Sequence, residues 1–417
     1  MAHINKLPVE LLSEIFKESM VFSEIFVGAY SCNYTRNEAP VSLIHVCKRW
    51  RAIALSLSPL WGSHRCPDFI EKPSLESVDY WLQISKRAPL KLIVYTPMWM
   101  DDSDTDPPLW PKVLQVYAKH IHRWHTLCVR GDTLLVQKLT SVLCTADSTP
   151  PLEDLRVELL RRIPTSVMND FASSINSLKT LRRLHWRDGY GPEGVNIDNL
   201  PWGQLTNISF AAKVTPEQVL ARLSRCESAN IVKFERQNIG PPSYLTLSTF
   251  NHPHMTLSHL TSLTLHISAD PLNILRFFTI PSLRYLKIAV LERRFDYLED
   301  LLLRSACPLD VLVVEDTRNS SLEQIMLFFQ CRFLCRIPNV KYFCNWVGSD
   351  FMMRKMEKLH NPATIPMPSL LSWADSTLGR EVIGWSTTPT EEVIGRYENG
   401  KYVGCKAYDD RHYKLYT

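Results

Sequence analysis

Three apolar residues at relative positions one, four and six recur along most of the chain, and this recurrence narrows the folds open to it more than any other feature. Leu152-Leu155-Val157, Leu181-Leu184-Trp186, Leu205-Ile208-Phe210, Leu260-Leu263-Leu265, Leu283-Leu286-Ile288 and Leu309-Leu312-Val314 carry the signature fully, and Trp124-Leu127-Val129 and Ala229-Val232-Phe234 carry it in weaker form. The central residues follow one another at intervals of 28, 29, 24, 24, 31, 23 and 26 residues, which are the periods of stacked supersecondary units. Positions four and six lie two apart and so face the same side of a strand. Between the strands stand helical spacings, Leu135-Leu139-Val142, Val167-Phe171-Ile175-Leu178 and Val219-Leu220-Leu223. Thr215 with Gln218, and Ser321 with Gln324, have capping-box spacing, in which two residues satisfy each other's backbone donors at a helix start. One strand and one helix hold too little core to stand alone, so each unit must stack on its neighbours. A doubly wound sheet also alternates strand and helix, but the chain has no Gly-x-Gly-x-x-Gly or Walker loop and only 14 glycines, which disfavours a nucleotide-binding fold.

Ahead of the repeats, Leu7 and Pro8 open a helical pattern continued by Leu11, Leu12, Ile15 and Phe16, and a second one starts after Ser42 and runs through Leu43, Val46, Cys47, Trp50, Ile53 and Ala54 to the Ser58-Pro59 break. Leu7-Pro8-Val9-Glu10-Leu11-Leu12, then Ile15-Phe16, then Val46-Cys47-Lys48-Arg49-Trp50 and finally Leu60-Trp61 closely resemble the F-box motif. That resemblance implies a three-helix module that binds a Skp-type adaptor and, through it, a cullin. Leu7, Pro8, Leu11, Leu12, Ile15, Phe16, Val46 and Trp50 are then the expected adaptor-binding residues. The stretch from Val21 to Ala39, punctuated by Gly28, Asn33 and Asn37, reads as a loop longer than the compact motif has, similar to insertions in fungal families of F-box proteins. Lys48, Arg49 and Arg51 read as a solvated helix face.

The repeats in turn resemble those of leucine-rich-repeat proteins, although the usual asparagine after the strand is absent. The fold class expected is therefore α/β: an N-terminal all-α F-box over 1–63, a helix-strand connector and acidic loop over 64–110, a leucine-rich-repeat-like solenoid over 111–345 and a C-terminal cap over 346–417. In the connector, Leu75–Lys86 reads as a helix and Pro89–Val94 as a strand, followed by an acidic run at Asp101, Asp102, Asp104 and Asp106 that lacks the glycine and closing glutamate of a calcium loop. After Phe343 the repeat fails, with Asn345 at what would be the third apolar position, and Asn399-Gly400 between Tyr397-Glu398 and Lys401-Tyr402 reads as a hairpin turn.

The resemblance implies a non-catalytic receptor subunit of a Skp-cullin-F-box ubiquitin ligase. Two other classes stay open: a small-molecule sensor like the plant hormone receptors of the F-box group, and a hydrolase with dispersed catalytic residues. Side chains alternate along a strand, so the residue between the last two apolar positions and the one after them face away from the helices, toward the inner side of a solenoid. They are Arg130, Arg156, Glu158, His185, Arg187, Lys233, Glu235, His266, Lys287 and Glu315. Basic residues outnumber acidic ones five to three before the histidines are counted. A mildly positive face for an acidic or phosphorylated protein target is expected, with Arg156 and Arg187 as a clamp on one phosphate.

No cofactor or metal is called for. His120, His122 and His125 lack a fourth ligand at zinc spacing, and Cys331, Cys335 and Cys344 with His360 read as packing groups. With 47 basic against 43 acidic residues no nucleic-acid partner is suggested. No window approaches the length and apolarity of a membrane span, and 11 scattered cysteines read as reduced thiols of the cytoplasm or nucleus.

Overall fold

The computed structural model describes residues 4–25, 40–66, 74–96, 110–146, 148–188, 199–212, 214–235, 253–267, 271–290, 295–316, 328, 331–344, 371–375, 380–386, 397–398 and 401–402. The chain divides into two compact units, Met1–Leu205 and Thr206–Thr417. The acidic run at 101–106, Ser321 with Gln324, and His360 lie outside the described residues.

The first unit opens with α1 (Val9–Ile25), α2 (Val41–Val46) and α3 (Lys48–Ser56). Two expectations are corrected here. The helix expected from Leu43 to Ala54 is broken at Cys47, which is extended (φ −160°, ψ 169°) and whose Sγ accepts from the Trp50 amide, making it the cap of α3. Pro40, not Ser42, is the cap position of α2. The first helix also runs on to Ile25, into the stretch read as loop; residues 26–39 lie outside the described residues. Leu12, Phe16, Leu43, Ile53, Ala54, Leu60 and Trp61 form one small core, with Leu7, Ile44 and Trp50 packed against it. The Trp61 indole donates to the Ala54 carbonyl at 2.9 Å, which satisfies its one polar atom inside that core.

Strand and helix then alternate as β1 (Ser63–Cys66), α4 (Leu75–Ile84), β2 (Leu90–Tyr95), α5 (Trp110–Ala118), β3 (Trp124–Gly131), α6 (Thr133–Thr145), β4 (Asp154–Leu159), α7 (Thr165–Asn176) and β5 (Arg183–Asp188). All five strands are parallel and stand in sequence order. Leu92, Leu127, Leu155 and Leu184 are successive partners across the sheet, and Val94, Val129, Val157 and Trp186 form the next row. The segment expected as a connector thus supplies the first two strands. Gly62 is required where the chain enters β1, because a Cβ there would stand 2.6 Å from the Pro89 carbonyl oxygen.

The second unit repeats the design with β6 (Asn207–Ala211), α8 (Pro216–Leu223), β7 (Ile231–Glu235), β8 (Met255–Thr256), β9 (Ser262–His266), α9 (Leu272–Leu275), β10 (Phe278–Thr279), β11 (Tyr285–Val290), α10 (Asp296–Ser305), β12 (Val311–Asp316) and β13 (Asn339–Cys344). The capping box expected at Thr215 and Gln218 is formed, each side chain accepting the other's backbone amide. β6, β7, β9, β11, β12 and β13 are parallel, with Ile208, Val232, Leu263, Leu286, Leu312 and Val340 in one row. β13 is a repeat that the sequence reading placed three residues out of register: Ile337, Val340 and Tyr342, not Val340, Phe343 and Asn345, hold positions one, four and six, and all three are buried. β8 and β10 form a separate parallel pair.

Every residue of the eight signature triplets is at most 5% exposed. The units also share a backbone device just ahead of the strands. The carbonyl two residues before the central position accepts two successive amides of the following unit: Glu153 from Arg182 and Arg183, Thr206 from Asn230 and Ile231, Asn230 from Thr261 and Ser262, Thr261 from Arg284 and Tyr285. Each unit therefore takes its register from the one before it.

β15 (Arg380–Ser386) pairs antiparallel with β13, and β14 (Leu371–Asp375) pairs antiparallel with β15. β16 (Tyr397–Glu398) and β17 (Lys401–Tyr402) form the hairpin expected around Asn399-Gly400. Truncation after Asn345 removes the strand that covers the edge of β13, and an unpaired edge is a template for association. The truncated chain is expected to melt lower and to aggregate; equal melting temperature and equal solubility in a side-by-side thermal and light-scattering comparison would contradict this.

Candidate functional site

Two sets of residues carry the functional expectations, and the fold treats them differently. On α1, Leu12 and Phe16 are fully buried, whereas Leu11 and Ile15 are 52% and 44% exposed. Residues four apart share a helix face, so one face of α1 makes the core and the adjacent one presents apolar surface. Of the eight residues expected to meet an adaptor, Leu12 and Phe16 belong to the interior and give the module its stability. Leu7 and Trp50 are half-buried against the same core, and Pro8, Leu11, Ile15 and Val46 stand exposed, Val46 by 56%. Ile4 and Val9, which the sequence pattern did not single out, are exposed apolar groups as well.

The basic run on α3 is partly structural, contrary to its reading as a solvated face. The Arg49 guanidinium donates to the Leu7 carbonyl at 2.6 Å, and Arg51 donates to the Ile44 carbonyl at 2.9 Å. Arg49 thereby ties the entry of α1 to α3, and Arg51 closes the end of α2. Phe16 and Trp50 stack with centroids 4.9 Å apart.

The strand face is the second set. Arg130, Glu158 and Arg187 occupy one row across β3, β4 and β5, and the Glu158 carboxylate stands 3.5 Å from each guanidinium. Arg156 lies 3.5 Å from Asp154, which also holds Arg183 at 3.1 Å. Arg156 and Arg187 are thus not two bare cations but members of two separate ion-pair groups, each more than half exposed at the side chain. Asp154 and Arg183 were missed because they precede the central apolar position, on the same side of the strand as the residues selected. His185 is half-buried beside Arg156 in the next strand. In the second unit Glu315 is buried and lies 3.3 Å from the His266 ring and 3.0 Å from Lys287, so that β9, β11 and β12 are joined by one carboxylate. Lys233 and Glu235 line β7, Glu235 in register with His266.

Among the described residues no three His, Cys, Asp or Glu side chains gather as a metal ion would require. The rings of His120 and His122 are 6.3 Å apart, and His125 turns to Glu153 at 3.3 Å. Cys47, Cys128, Cys144, Cys226, Cys307 and Cys331 are free, and burial pushes the Cys226 thiol up to about 12 and that of Cys331 up to about 11. Such thiols stay protonated and are poor nucleophiles. Among the described residues no helix is long and apolar enough to cross a membrane.

No family model matches the chain, and no curated protein is similar to it.

His64, at the start of the sheet, is the buried titratable group with the clearest consequence. Burial lowers its pKa from the ordinary 6.5 to about 4, opposed by its hydrogen bond to the Trp61 carbonyl and reinforced by the charges of Arg123 and His120. The folded ring is neutral where the unfolded ring takes up a proton, so stability is full above pH 6.5 and falls as pH drops toward 4. At about 1.4 kcal/mol per unit the loss is about 3 kcal/mol. Between pH 6.5 and 4.5 the unfolding free energy from urea melts should fall by about 2 kcal/mol less in His64→Gln than in the parent; an identical pH slope in both would contradict the assignment.

Proposed function

We propose that the chain is the substrate-recognition subunit of a Skp-cullin-F-box ubiquitin ligase, in which α1 to α3 bind a Skp-type adaptor and the strand face receives a protein target. On this reading the units from β1 to β13 are turns of a leucine-rich-repeat-like solenoid, and the chain positions a target without performing chemistry itself. The observation that carries the proposal is the division of α1 into a buried face, Leu12 and Phe16, and an exposed apolar face, Leu11 and Ile15, within the segment whose letters resemble the F-box motif. A helix that serves only as a cap for the repeats has no reason to present two large aliphatic side chains to water on one face. Each such side chain contributes about 1.5 to 3 kcal/mol when a partner buries it, so this face, with Val46 and Val9 in reserve, suffices for a specific contact once association costs are met.

The strand face suits a target that brings its own charges. Its guanidinium groups are paired in the first unit, but exposed pairs are weak, at about 0 to 1 kcal/mol. A phosphorylated or carboxylate-bearing segment can therefore draw Arg156 and Arg187 away from Asp154 and Glu158 at little cost.

Two outcomes are expected. Leu11→Asp or Ile15→Asp, at exposed positions, leaves the far-ultraviolet spectrum unchanged and weakens adaptor binding by about 100-fold or more, since a charge without a partner is forced into an apolar contact; wild-type adaptor affinity in calorimetry would refute the adaptor assignment. Arg156→Glu with Arg187→Glu adds two carboxylates beside Asp154 and Glu158, and abolishes target capture while adaptor binding persists. Unaltered recovery of targets from cells carrying the double variant would remove the strand face from the mechanism.

A further inference from the structure

We propose that the first unit binds a small phosphate-bearing anion in a cavity at the leading ends of β2 and β3, independently of any adaptor or protein target. The cavity has a volume of about 600 Å³, and Lys86, Arg87, His120, His122, Arg123 and His125 line it, the rest of the wall being leucine, glutamine and proline. Among the described residues no carboxylate belongs to the lining. Lys86 and Arg87 sit in the turn that follows α4, and His120, His122, Arg123 and His125 in the stretch that leads from α5 into β3, so basic and imidazole groups converge from two segments. Lys86 is held in the left-handed region, at φ 49°, a conformation that costs a non-glycine residue energy and marks positions where the fold dictates where a side chain goes.

Arg123 is the second and independent observation. It is 7% exposed, and its donors go to the Ala88 carbonyl at 3.0 Å, the Leu82 carbonyl at 3.4 Å and the Ser85 hydroxyl at 2.6 Å. These oxygens are neutral. They orient the guanidinium at the end of α4 but do not cancel its charge, and among the described residues no carboxylate pairs with it. A buried cation without a counter-charge is an expensive arrangement, and burial accordingly pulls its pKa down. An anion in the adjoining cavity supplies the missing charge. Each nitrogen of Arg123 already donates once to the protein, so its main part is the field it exerts, and most of the direct hydrogen bonds fall to Lys86, Arg87 and the imidazoles. Donors from several directions suit a tetrahedral group with three free oxygens better than a planar carboxylate, which is best met by a single guanidinium fork.

His120 reports on the same field. Burial and the charges of Arg123, His122 and Lys119 hold its pKa below the ordinary histidine value, opposed only by Asp79 on α4. On the far side Glu153 is engaged with His125. A bound phosphate group reverses the balance at His120 and raises its pKa.

The test is inorganic pyrophosphate titrated into the full chain at pH 7 with ionic strength held constant by sodium chloride, read by thermal melting and by the imidazole proton resonances. Lys86→Gln with Arg87→Gln removes two exposed cations and leaves Arg123 in place; its fold is checked by circular dichroism. Saturable stabilisation of the parent, at least tenfold weaker binding in the double variant and an upward shift of the His120 titration midpoint are expected. Stabilisation no greater than sodium chloride gives, equal binding by the double variant, or an unmoved His120 midpoint would each overturn the proposal.

Discussion

The rest of the structure depends on one constraint: no strand of the parallel sheet can bury its own signature triplet. A central residue such as Leu155 is enclosed because Leu127 and Leu184 lie beside it in the same row, and the Glu153 carbonyl passes the register on to the next unit. Parallel strands cannot be joined by a tight turn, so helices such as α6 and α7 return the chain. Phe171 on α7 meets Trp186 on β5 at 6.1 Å between ring centroids. Burial on the helix side and charge on the other then follow from strand alternation alone. In each unit the repeats stop where the pattern stops: α1 to α3 precede β1 in the first, and the antiparallel β15 and β14 follow β13 in the second.

Much of this was legible because burial in a parallel ladder demands apolar residues at fixed spacing, and all eight triplets named from sequence lie in or enter strands. The failures have physical causes. Val340 stands three residues from both Ile337 and Phe343, so it can be read as position four of one register or position one of another, and only its pairing with Leu312 separates them; a shift by an odd number of residues exchanges the faces of a strand. Cys47 breaks the second helical pattern because its extended backbone lets Sγ cap α3, a role that serine, threonine, aspartate and asparagine usually fill. In β1, His64 takes the row position of Leu92, and a polar residue there hides the strand from any hydrophobic pattern.

The functional surfaces were legible in part. The apolar letters of α1 announced a helix, but only the fold divides Leu12 and Phe16, which are buried, from Leu11 and Ile15, which are exposed. The strand-face charges were named from alternation, yet their pairing was not, since Asp154 reaches Arg183 29 residues further on and Glu315 reaches Lys287 and His266 28 and 49 residues back. The basic cavity lay beyond sequence reasoning altogether, because the turns bearing Lys86 and His120 belong to different strand-helix repeats of the first unit and meet only after the strands have paired.

The central claim is that the first helices are a docking module for a Skp-type adaptor, and hydrogen exchange on the full chain with and without the purified adaptor tests it most directly. The account predicts a one-to-one complex in which amides of α1 to α3 gain protection while those of β3 to β13 keep their rates. Failure of the two proteins to associate at micromolar concentration, or protection confined to the strands, would contradict it.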